Sequence, residues 1–508
     1  MFAKVKSLGL TGMNAYIIET EIDISLGMPR FDIVGLPDTS VSESKNRVRS
    51  AIKNNHFKFN ENRVTVNLAP ADVRKEGPIY DLPIFVAFLI ATKQLSCNAE
   101  SMAFIGELSL DGTVRKINGV LPMVICARDN NIKEVFVPYD NAAEASVVNN
   151  IKVYPIKNVS ELCDHLMGRK TIPHCKPFDF KAQQERDILL DFEDVKGQYQ
   201  AKRALEIAAA GGHNTLLIGP PGSGKSMLAK RLPSILPDMT FEESLETTKV
   251  YSIAGAIESG VSLITNRPFR SPHHTVSTAG LSGGGRIPHP GEMSLAHNGV
   301  LFLDELPEFS RASMETMRQP MEDGVITISR VSGTLSYPCE TMLVCAMNPC
   351  PCGYFGHPTK QCTCPKGAPA KYLAKVSGPL LDRLDIHVEV PQIDFKKLSA
   401  DEKGEPSAEI KKRVNAARTI QNERFKGTNI KCNAKMTPAM TREFCKIDET
   451  QKAFLEKSFE KLGLSARAYD KILRVARTIA DLDGKENIEL VHLTEAIQYR
   501  SLDRKFWK

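Results

Sequence analysis

The sequence predicts an α/β protein built around a parallel sheet and followed by a helical carboxyl-terminal part. Residues 214–218 form a short apolar run of strand length, which breaks into a glycine-rich loop at residues 219–226 before a helical pattern resumes. A second apolar run, residues 299–303, ends in two acidic residues. From about residue 396 the sequence becomes charged and repeats its apolar residues with helical spacing. This order of strands and helices is typical of a parallel sheet covered by helices.

The glycine-rich loop has the residue types that bind phosphate. It consists of Gly219, Pro220, Pro221, Gly222, Ser223, Gly224, Lys225 and Ser226. Glycines allow backbone N–H groups to turn toward phosphate oxygens, and the following helix points its positive dipole end at the same anion. Lys225 can then reach the β and γ phosphates, and the Ser226 hydroxyl can ligate Mg²⁺. A simple glycine turn is the alternative, but the flanking strand and helix favour a site for ATP and Mg²⁺.

The two acids after the second apolar run complement this loop. Asp304 leaves the carboxyl end of its strand, where it can hold the Mg²⁺ shell, and Glu305 can act as the base that orients and activates water. An acidic helix cap after a core strand is the alternative for one such pair alone. Together with the phosphate loop, the pair predicts a P-loop NTPase that hydrolyses ATP.

Composition limits the remaining possibilities. The 508 residues are enough for two or three domains, and 42% hydrophobic residues are ordinary for a soluble globular protein. With 66 Lys and Arg against 60 Asp and Glu, the net charge of +6 is too small to predict nucleic-acid binding by itself. We find neither a signal peptide nor a run of eighteen apolar residues, so we expect a cytoplasmic protein without a membrane partner.

Residues 1–168 alternate short strands with helices, which predicts a compact α/β domain, and residues 169–190 are polar and are expected to be a linker. Residues 104–114, residues 117–119 and the segment 75–81 resemble the proteolytic domain of the Lon family. The resemblance implies a Lon-like fold for this domain.

The chain departs from the Lon pattern at the positions of the catalytic residues. Lon-type proteases need a serine soon after the Gly-Pro pair of the first loop, where this chain has Ile79 and Tyr80. They also need a lysine soon after the later glycine, where this chain has Val120 and Leu121. These residues cannot form a hydroxyl nucleophile paired with an amine base. We therefore expect a Lon-like domain without peptidase activity, used for docking or ring assembly.

Residues 191–395 are expected to form the ATPase core. Residues 191–198 and the helical stretch after them resemble the leading segment of AAA+ ATPases, in which the residues matching 195–198 lie against adenine. Residues 269–286 resemble the helix-2 insertion of the magnesium-chelatase and MCM branch, which faces the pore of the ring. His273 and His274 in this insertion are either metal ligands or, more often for such a pair, solvated or in contact with a partner.

Further resemblances to this branch supply the rest of the catalytic set. The buried strand 343–347 delivers Asn348, which matches the first sensor that hydrogen-bonds the attacking water or the γ-phosphate. Residues 378–385 match the segment with the arginine finger, which would place Arg383 in the neighbouring subunit's site. An ion pair of Arg383 with Asp382 or Asp385 is the alternative. Residues 325–337 predict a hairpin whose turn carries Arg330, which either follows a phosphate backbone or is solvated.

A cysteine-rich loop at residues 350–364 lies inside this core. Its four cysteines are Cys350, Cys352, Cys362 and Cys364. Two pairs of thiolates suit tetrahedral zinc, although one residue rather than the usual two separates the members of each pair. Buried free thiols and redox pairing are the alternatives, and His357 could replace one thiol. We expect a structural Zn²⁺, because the loop has little apolar sequence to fold it.

Residues 396–508 predict a helical lid domain, with helices over 408–424, 437–443, 449–462 and 466–482. Ser465 is placed to cap the last helix, in which residues 469, 472, 473, 476 and 479 form an apolar stripe. In the AAA+ lid this helix carries the second sensor, an arginine that reaches the γ-phosphate. Arg467 is the better match and Arg474 the reserve, with a solvated basic face as the alternative for either.

The chain as a whole is identified as a member of the ComM (YifB) competence family, which joins a Lon-like domain to a magnesium-chelatase-type AAA+ module. The most specific segments are residues 267–274, 283–285, 304–305 and 350–352. Membership implies a hexameric ring that hydrolyses ATP while it acts on single-stranded or branched DNA, and it implies helicase or branch-migration activity during recombination of transforming DNA. Two other functions stay open, namely a chelatase-like motor for metal insertion and an ATP-dependent Lon-like protease.

Overall fold

The fold is known from a computed structural model of the chain. It describes residues 1–59, 62–176, 178–180, 190–285, 288–330, 333–392, 404–463 and 466–507. Four features of the sequence analysis lie outside the described residues, namely the linker segment 181–189, Arg286, the side chain of Arg330 and the capping Ser465. Within the described residues, none of the helices combines the length and the apolar character that a membrane crossing requires.

The first part of the chain is built on a seven-stranded sheet in the order β3-β4-β2-β1-β5-β8-β9. Its strands and the small hairpin β6–β7 are β1 Phe2–Thr11, β2 Asn14–Ser25, β3 Arg30–Val34, β4 Arg63–Ala69, β5 Met102–Phe104, β6 Glu107–Leu108, β7 Val114–Arg115, β8 Glu134–Pro138 and β9 Lys152–Ile156. The helices are α1 Thr39–Asn54, α2 Asp81–Ala91, α3 Val120–Asp129, α4 Ala142–Ala145 and α5 Val159–Leu166. Helix α2 is apolar on nearly all sides, so it is buried in the core.

The second sheet has five parallel strands in the order β11-β12-β15-β10-β16. The strands of this region are β10 Thr215–Ile218, β11 Phe269–Arg270, β12 Val300–Leu303, β13 Val325–Arg330, β14 Gly333–Pro338, β15 Met342–Met347 and β16 Ile386–Glu389. The three central strands β10, β12 and β15 are buried along their whole length, as expected for a sheet covered on both faces. Strands β13 and β14 pair only with each other and form the predicted hairpin.

Helices cover the second sheet. They are α6 Tyr199–Gly211, α7 Lys225–Arg231, α8 Phe241–Ala254, α9 Thr278–Ser282, α10 Glu292–Leu295, α11 Arg311–Thr316, α12 Arg318–Asp323, α13 Ala368–Leu373 and α14 Gly378–Leu381. The sequence favours one helix over residues 311–321, whereas the structure has two. Pro320 explains the break, because a proline has no N–H to donate and its ring crowds the carbonyl four residues earlier, which belongs to Thr316 at the end of α11.

The carboxyl-terminal part is helical, as predicted. Its helices are α15 Ser407–Arg424, α16 Pro438–Phe444, α17 Glu449–Leu462, α18 Ala466–Leu482, α19 Leu490–Gln498 and α20 Leu502–Trp507. The first four agree with the predicted spans to within one residue at each end, and the sequence analysis did not predict α19 and α20. Four residues of the predicted stripe of α18 pack into the same core as α6 and the second sheet, namely Ile472, Leu473, Ala476 and Ile479. Tyr469, which the sequence also places in the stripe, is 37% exposed instead. The predicted fold class, an α/β protein with a parallel-sheet core and a helical end, is therefore confirmed.

The first part of the chain packs directly against the region built on the second sheet. The Gly119 N–H at the start of α3 donates to the Ser252 carbonyl in α8 over 2.9 Å. The Ser252 hydroxyl donates to the Glu144 carboxylate over 2.5 Å, and Lys116 Nζ donates to the Ile257 carbonyl over 2.6 Å. Burial raises the pKa of Glu144, while the bond from Ser252 lowers it. These polar contacts hold the two regions together at a buried junction.

Candidate active site

Three neighbouring strands bring the candidate site together at one edge of the parallel sheet. Ile218 at the end of β10 pairs with Met347 at the end of β15, and Leu303 at the end of β12 pairs with Cys345 of β15. The phosphate loop, the acidic pair and Asn348 follow these ends directly. Since the strands are parallel, their carboxyl ends lie side by side, which is where α/β sheets bind ligands.

Lys225 is buried at this edge and forms no ion pair with a carboxylate among the described residues. Its Nζ donates to the carbonyls of Gly219 and Pro220 over 2.8 and 3.0 Å, and to Asn348 Oδ1 over 3.1 Å. Burial lowers the pKa of Lys225 to about 8, and the nearby charges of Asp304 and Glu305 offset part of that shift. A buried ammonium group held only by neutral oxygens favours the arrival of an anion.

The loop itself presents further groups that suit a phosphate. Ser223 is 2% exposed, and its hydroxyl has no hydrogen-bond partner among the described residues. Gly222 and Gly224 have φ values of 73° and 93°, which non-glycine residues rarely adopt. A buried hydroxyl without a partner among the described residues and a loop with two left-handed glycines together fit a phosphate group at this position.

Ser226 and Asp304 form a pair of oxygen ligands. The Ser226 hydroxyl donates to Asp304 Oδ2 over 2.5 Å, across 78 positions of sequence. One hydroxyl and one carboxylate from separate elements suit Mg²⁺, which binds few protein oxygens and completes its shell with water and phosphate. The residues present therefore fit the Mg²⁺ that accompanies a nucleoside triphosphate.

Glu305 lies at the mouth of the site in an unusual backbone conformation. Its φ is 53°, and its N–H donates to Asp304 Oδ1 over 2.9 Å. A non-glycine residue in the left-handed region is typical of functional positions, where the surrounding structure holds the strain. The side chain is 59% exposed, and His274 Nδ1 lies 3.5 Å from its Oε2. This nearness to Glu305 is not among the alternatives that the sequence suggests for His274, namely a metal ligand, a solvated side chain or a contact with a partner.

A cavity of about 560 Å³ opens beside Glu305 and Asn348. Its other walls are Glu308, Pro351, Ala368, Lys371, Tyr372 and Lys375. The wall therefore combines the two catalytic candidates with the cysteine-rich loop and helix α13.

Gln198 supports the phosphate loop from behind. Its Nε2 donates to the Ser223 carbonyl over 3.0 Å and to the Pro391 carbonyl over 2.7 Å. Gln198 has a φ of 58° and is nearly buried, so its amide is fixed in this position. The AAA+ resemblance implies that residues 195–198 lie against adenine, and the sequence does not predict this bond, because no local pattern shows which carbonyl an amide side chain will reach.

The arginines expected to complete the site do not contact the phosphate loop of their own chain within the described residues. Arg383 Nη2 pairs with Glu322, its Nη1 donates to the Pro379 carbonyl over 2.8 Å, and its Nε has no partner among the described residues. The intrachain partner is therefore Glu322 and not Asp382 or Asp385, which the sequence analysis had named as alternatives. Arg383 is 17% exposed in this arrangement.

Arg467, expected to reach the γ-phosphate, instead lies near Arg383. It is 74% exposed, and its Nη1 lies 3.2 Å from Asp382 Oδ2, one residue before Arg383. Arg474, the reserve, donates to Thr441 Oγ1 and to the Ala434 carbonyl, both within the lid. Both arginines thus bind elsewhere than the phosphate loop, and the structure places Arg467 beside the finger segment.

The four cysteines of the cysteine-rich loop gather at one point. Their Sγ atoms all lie within 4.8 Å of one another, with Cys350 and Cys352 3.3 Å apart and Cys352 and Cys362 3.5 Å apart. The Phe355 N–H donates to Cys350 Sγ over 3.3 Å, and the Cys352 N–H donates to Cys364 Sγ over 3.4 Å. Four sulfurs at this spacing with N–H donors around them have the chemistry of a tetrahedral metal site.

The Lon-like turn, residues 75–81, differs from the phosphate loop in the side chains that it holds. Gly77 has a φ of 79° and leads into the turn Pro78–Tyr80, in which Ile79 and Tyr80 are buried. Val120 and Leu121 at the start of α3 are fully buried as well. The positions that the Lon pattern reserves for reactive groups therefore hold core side chains.

The parallel sheet, the glycine-rich loop between β10 and α7 and the two acids after β12 define a P-loop NTPase. Comparison with known protein families agrees. Residues 191–398 match the family model described as magnesium chelatase, subunit ChlI, and residues 404–500 match the model of the carboxyl-terminal part of that subunit. Residues 20–141 match a further model, described as subunit ChlI of Mg-chelatase.

Whole proteins match along the entire chain. The uncharacterized protein YifB of Escherichia coli is 44% identical over 495 residues, which cover 97% of this chain and 96% of that protein. The competence protein ComM of Haemophilus influenzae is 43% identical over 510 residues, which cover 100% of this chain and 99% of that protein. Lon protease 2 of Bacillus subtilis is 26% identical over 117 residues, or 23% of this chain and 21% of that protein.

The chain belongs to the ComM/YifB family, as the sequence analysis predicted, with a magnesium-chelatase-type AAA+ module and a region similar to Lon. Membership of the AAA+ class implies ATPase activity with ATP and Mg²⁺.

Proposed function

We propose that this protein is an ATP-driven motor that acts on DNA as a hexameric ring. Its substrates are single-stranded or branched DNA, and its activity is strand separation or branch migration during recombination of transforming DNA. The end-to-end similarity to a competence protein supports the process. The observation that carries the motor is the convergence of Lys225, Ser226, Asp304 and Asn348 on one edge of the parallel sheet.

In this proposal, residues 219–226 bind the phosphates of ATP, and Lys225 exchanges its carbonyl contacts for phosphate oxygens. Ser226 and Asp304 hold Mg²⁺, which neutralises charge on the transferring phosphoryl group. Glu305 accepts the proton of the attacking water, and Asn348 orients that water. Because the Glu305 side chain is exposed and reaches the open cavity, it has access to that water.

The site is completed by a second copy of the chain. Arg383 leaves Glu322 and stabilises the charge that develops on the phosphoryl group in the neighbouring subunit. Arg467 contacts Asp382, so movement of the lid helix α18 is transmitted to the segment that carries Arg383. Hydrolysis at the boundary between subunits thus moves the lid and, with it, the loops that grip DNA.

Each of the four parts of the chain has its own role in this proposal. Residues 1–168 serve as an inactive Lon-like docking or assembly domain, residues 169–190 as a linker, residues 191–395 as the ATPase core and residues 396–508 as the lid. The junction between α3 and α8 supports a mechanical connection of the first domain to the core. We propose that the protein works in the cytoplasm, where its cysteines stay reduced.

The cysteine-rich loop holds a structural Zn²⁺ through Cys350, Cys352, Cys362 and Cys364 in this proposal. The distances between the four Sγ atoms support it. Metal analysis of freshly purified protein should find one equivalent of zinc per chain. A content well below one equivalent, with the thiols still reduced, would reject the site.

One experiment separates the candidate functions. Basal ATP hydrolysis is measured first, and single-stranded DNA, branched DNA, a tetrapyrrole precursor with its metal, or an unfolded protein is then added. Stimulation by either DNA supports the DNA motor. Stimulation by the tetrapyrrole alone supports a chelatase-like motor, which the family models make the second candidate, and stimulation by unfolded protein with peptide cleavage supports a protease.

A further inference from the structure

The cysteine-rich loop lies against the ATP site as well as next to it in sequence. Asn348 directly follows strand β15, and Cys350 comes two residues after Asn348. The loop returns to the core through helix α13, whose Ala368 and Tyr372 line the cavity that Asn348 and Glu305 also line. Both ends of the loop are therefore anchored at the catalytic edge of the sheet.

The middle of the cysteine-rich loop is linked to the phosphate loop at two points, one by direct contact and one through a bridging residue. Gly353, with a φ of 84°, approaches Pro221 so closely that a Cβ atom on Gly353 would lie 2.2 Å from Pro221 Cδ. The second contact runs through Gln392, whose Nε2 donates to the Pro221 carbonyl over 3.3 Å. Gln392 Oε1 in turn accepts a bond of 3.0 Å from Lys360 Nζ of the cysteine-rich loop. The cysteine-rich loop thus contacts the Pro221 ring directly through Gly353, and it supports the Pro221 carbonyl indirectly, through Lys360 and the bridging Gln392.

The cysteine-rich loop buries few side chains that could stabilise this conformation. Of the residues from 350 to 364, only Cys350 and Gly353 are buried. A segment with so little apolar burial does not offset the entropy of ordering its backbone, whereas a metal bound by four thiolates does. The geometry of the contact with Pro221 therefore depends on what the four sulfurs bind.

We infer that the zinc-held cysteine-rich loop is a positioning element of the ATP site, with Gly353 as the residue that seats it on the phosphate loop. The inference rests on the proposed ATPase function and on the proposed zinc site. Loss of the metal frees the loop, so Pro221 and Asn348 lose their support and both ATP binding and turnover weaken. Supporting contacts of this kind typically change affinity or rate by about tenfold or more.

A pair of glycine variants tests the contact itself. Gly353→Ala introduces a Cβ that overlaps Pro221, whereas Gly367→Ala introduces one with no atom within 4 Å. Both glycines have a positive φ, 84° and 80°, so the backbone strain is matched. We expect zinc-replete Gly353→Ala to bind ATP about tenfold more weakly, and Gly367→Ala to bind it as the unaltered protein does. Equal ATP affinity and equal kcat in the two zinc-replete variants would overturn the inference.

Metal removal gives a second measurement that needs no substitution at the contact. The full chain is stripped with a chelator and reloaded with zinc alone, and its KM for ATP and its kcat are determined in each state. We expect KM to rise and kcat to fall on stripping, and both to recover on reloading. The same constants in the Cys352→Ser, Cys362→Ser double variant, free of zinc, should equal those of the stripped protein.

The possible outcomes distinguish this inference from the proposals on which it rests. If the zinc-replete protein hydrolyses no ATP, the proposed function fails. If the freshly purified protein hydrolyses ATP but contains no zinc and takes up none on reloading, the metal site fails, and the inference with it. If it contains zinc and the stripped protein keeps unchanged constants, only the positioning role fails.

Discussion

Among the residues that the structure describes, two buried lysines donate to neutral oxygens, and one of them lies at the candidate active site. Lys75, in the Lon-like turn, is fully buried and donates to the carbonyls of Pro70 and Val73. Lys225, in the phosphate loop, is 9% exposed and donates to the carbonyls of Gly219 and Pro220. Burial lowers the pKa of both. The local surroundings of the two amines are therefore nearly the same.

The difference lies in what other strands bring to each lysine. Both hydrogen-bond acceptors of the Lys75 amine come from the segment just before it, two and five residues earlier in the chain. Lys225 also donates to Asn348, which directly follows β15 and lies 123 positions away, and the charge of Asp304, the partner of Ser226, is near it. A buried lysine alone does not define an active site. Lys225 has in addition a convergence of hydroxyl, carboxylate and amide groups from the ends of separate strands, whereas the amine of Lys75 donates only to acceptors of its own segment among the described residues.

Outside the phosphate loop, we expect the substitution of Arg383 to have the largest effect on ATP turnover. We expect Arg383→Ala to lower ATP turnover by about 10³-fold or more, because the cation that stabilises the transferring phosphoryl group is lost. ATP affinity, measured by equilibrium binding, should change little, and Arg383→Lys should recover only part of the rate. Mixing Arg383→Ala with Lys225→Ala should restore some turnover, because each chain supplies the part that the other lacks. No recovery in rings shown to be mixed would place Arg383 outside the neighbouring site.

Glu305→Gln is expected to have the next largest effect. The amide cannot accept a proton from water, so turnover should fall by about 10²- to 10⁴-fold while ATP is still bound. Single-turnover hydrolysis with a saturating protein concentration measures the chemical step directly. Glu308→Gln, on the other side of the cavity, is the matched control and should keep most of the rate. Near-normal turnover in Glu305→Gln would reassign the base.

The lowered pKa of Lys225 predicts a pH dependence. Above about pH 8 the free protein loses the proton of this ammonium group, so ATP affinity should fall by about tenfold per pH unit until the pKa of the bound state is reached. Since the folded pKa lies below the unfolded value of 10.5, the native state binds fewer protons between pH 8 and 10.5. The free energy of unfolding without ATP should therefore rise with pH across that window. Lys225→Arg keeps its charge, and a similar loss of affinity in that variant would point to another group.

The sequence predicts local features well and distant contacts poorly. The phosphate loop and the helices after residue 396 are recognisable because their apolar spacing and glycine positions are local properties. The break at Pro320 was also readable from the proline, although the sequence analysis drew one helix there. Two contacts were not readable, namely Gln198 with Ser223 and Gly353 with Pro221, which join positions 25 and 132 residues apart (353 − 221). Spacing carries no information on such pairs, because the fold decides which surfaces meet.

The smallest expected effect is that of Lys75→Met, which tests the other side of the comparison. Met fills a similar volume without the amine, and the ATP site draws no group from this turn, so ATP turnover should stay within about twofold of the unaltered protein. Lys225→Met, the matched substitution, should abolish turnover, since the phosphates lose their cation. Cleavage of an unfolded protein substrate is measured in both variants. If Lys75→Met removed a peptide-cleaving activity that Lys225→Met retained, the Lon-like turn would be a working site, and a buried amine with neutral partners would suffice for chemistry.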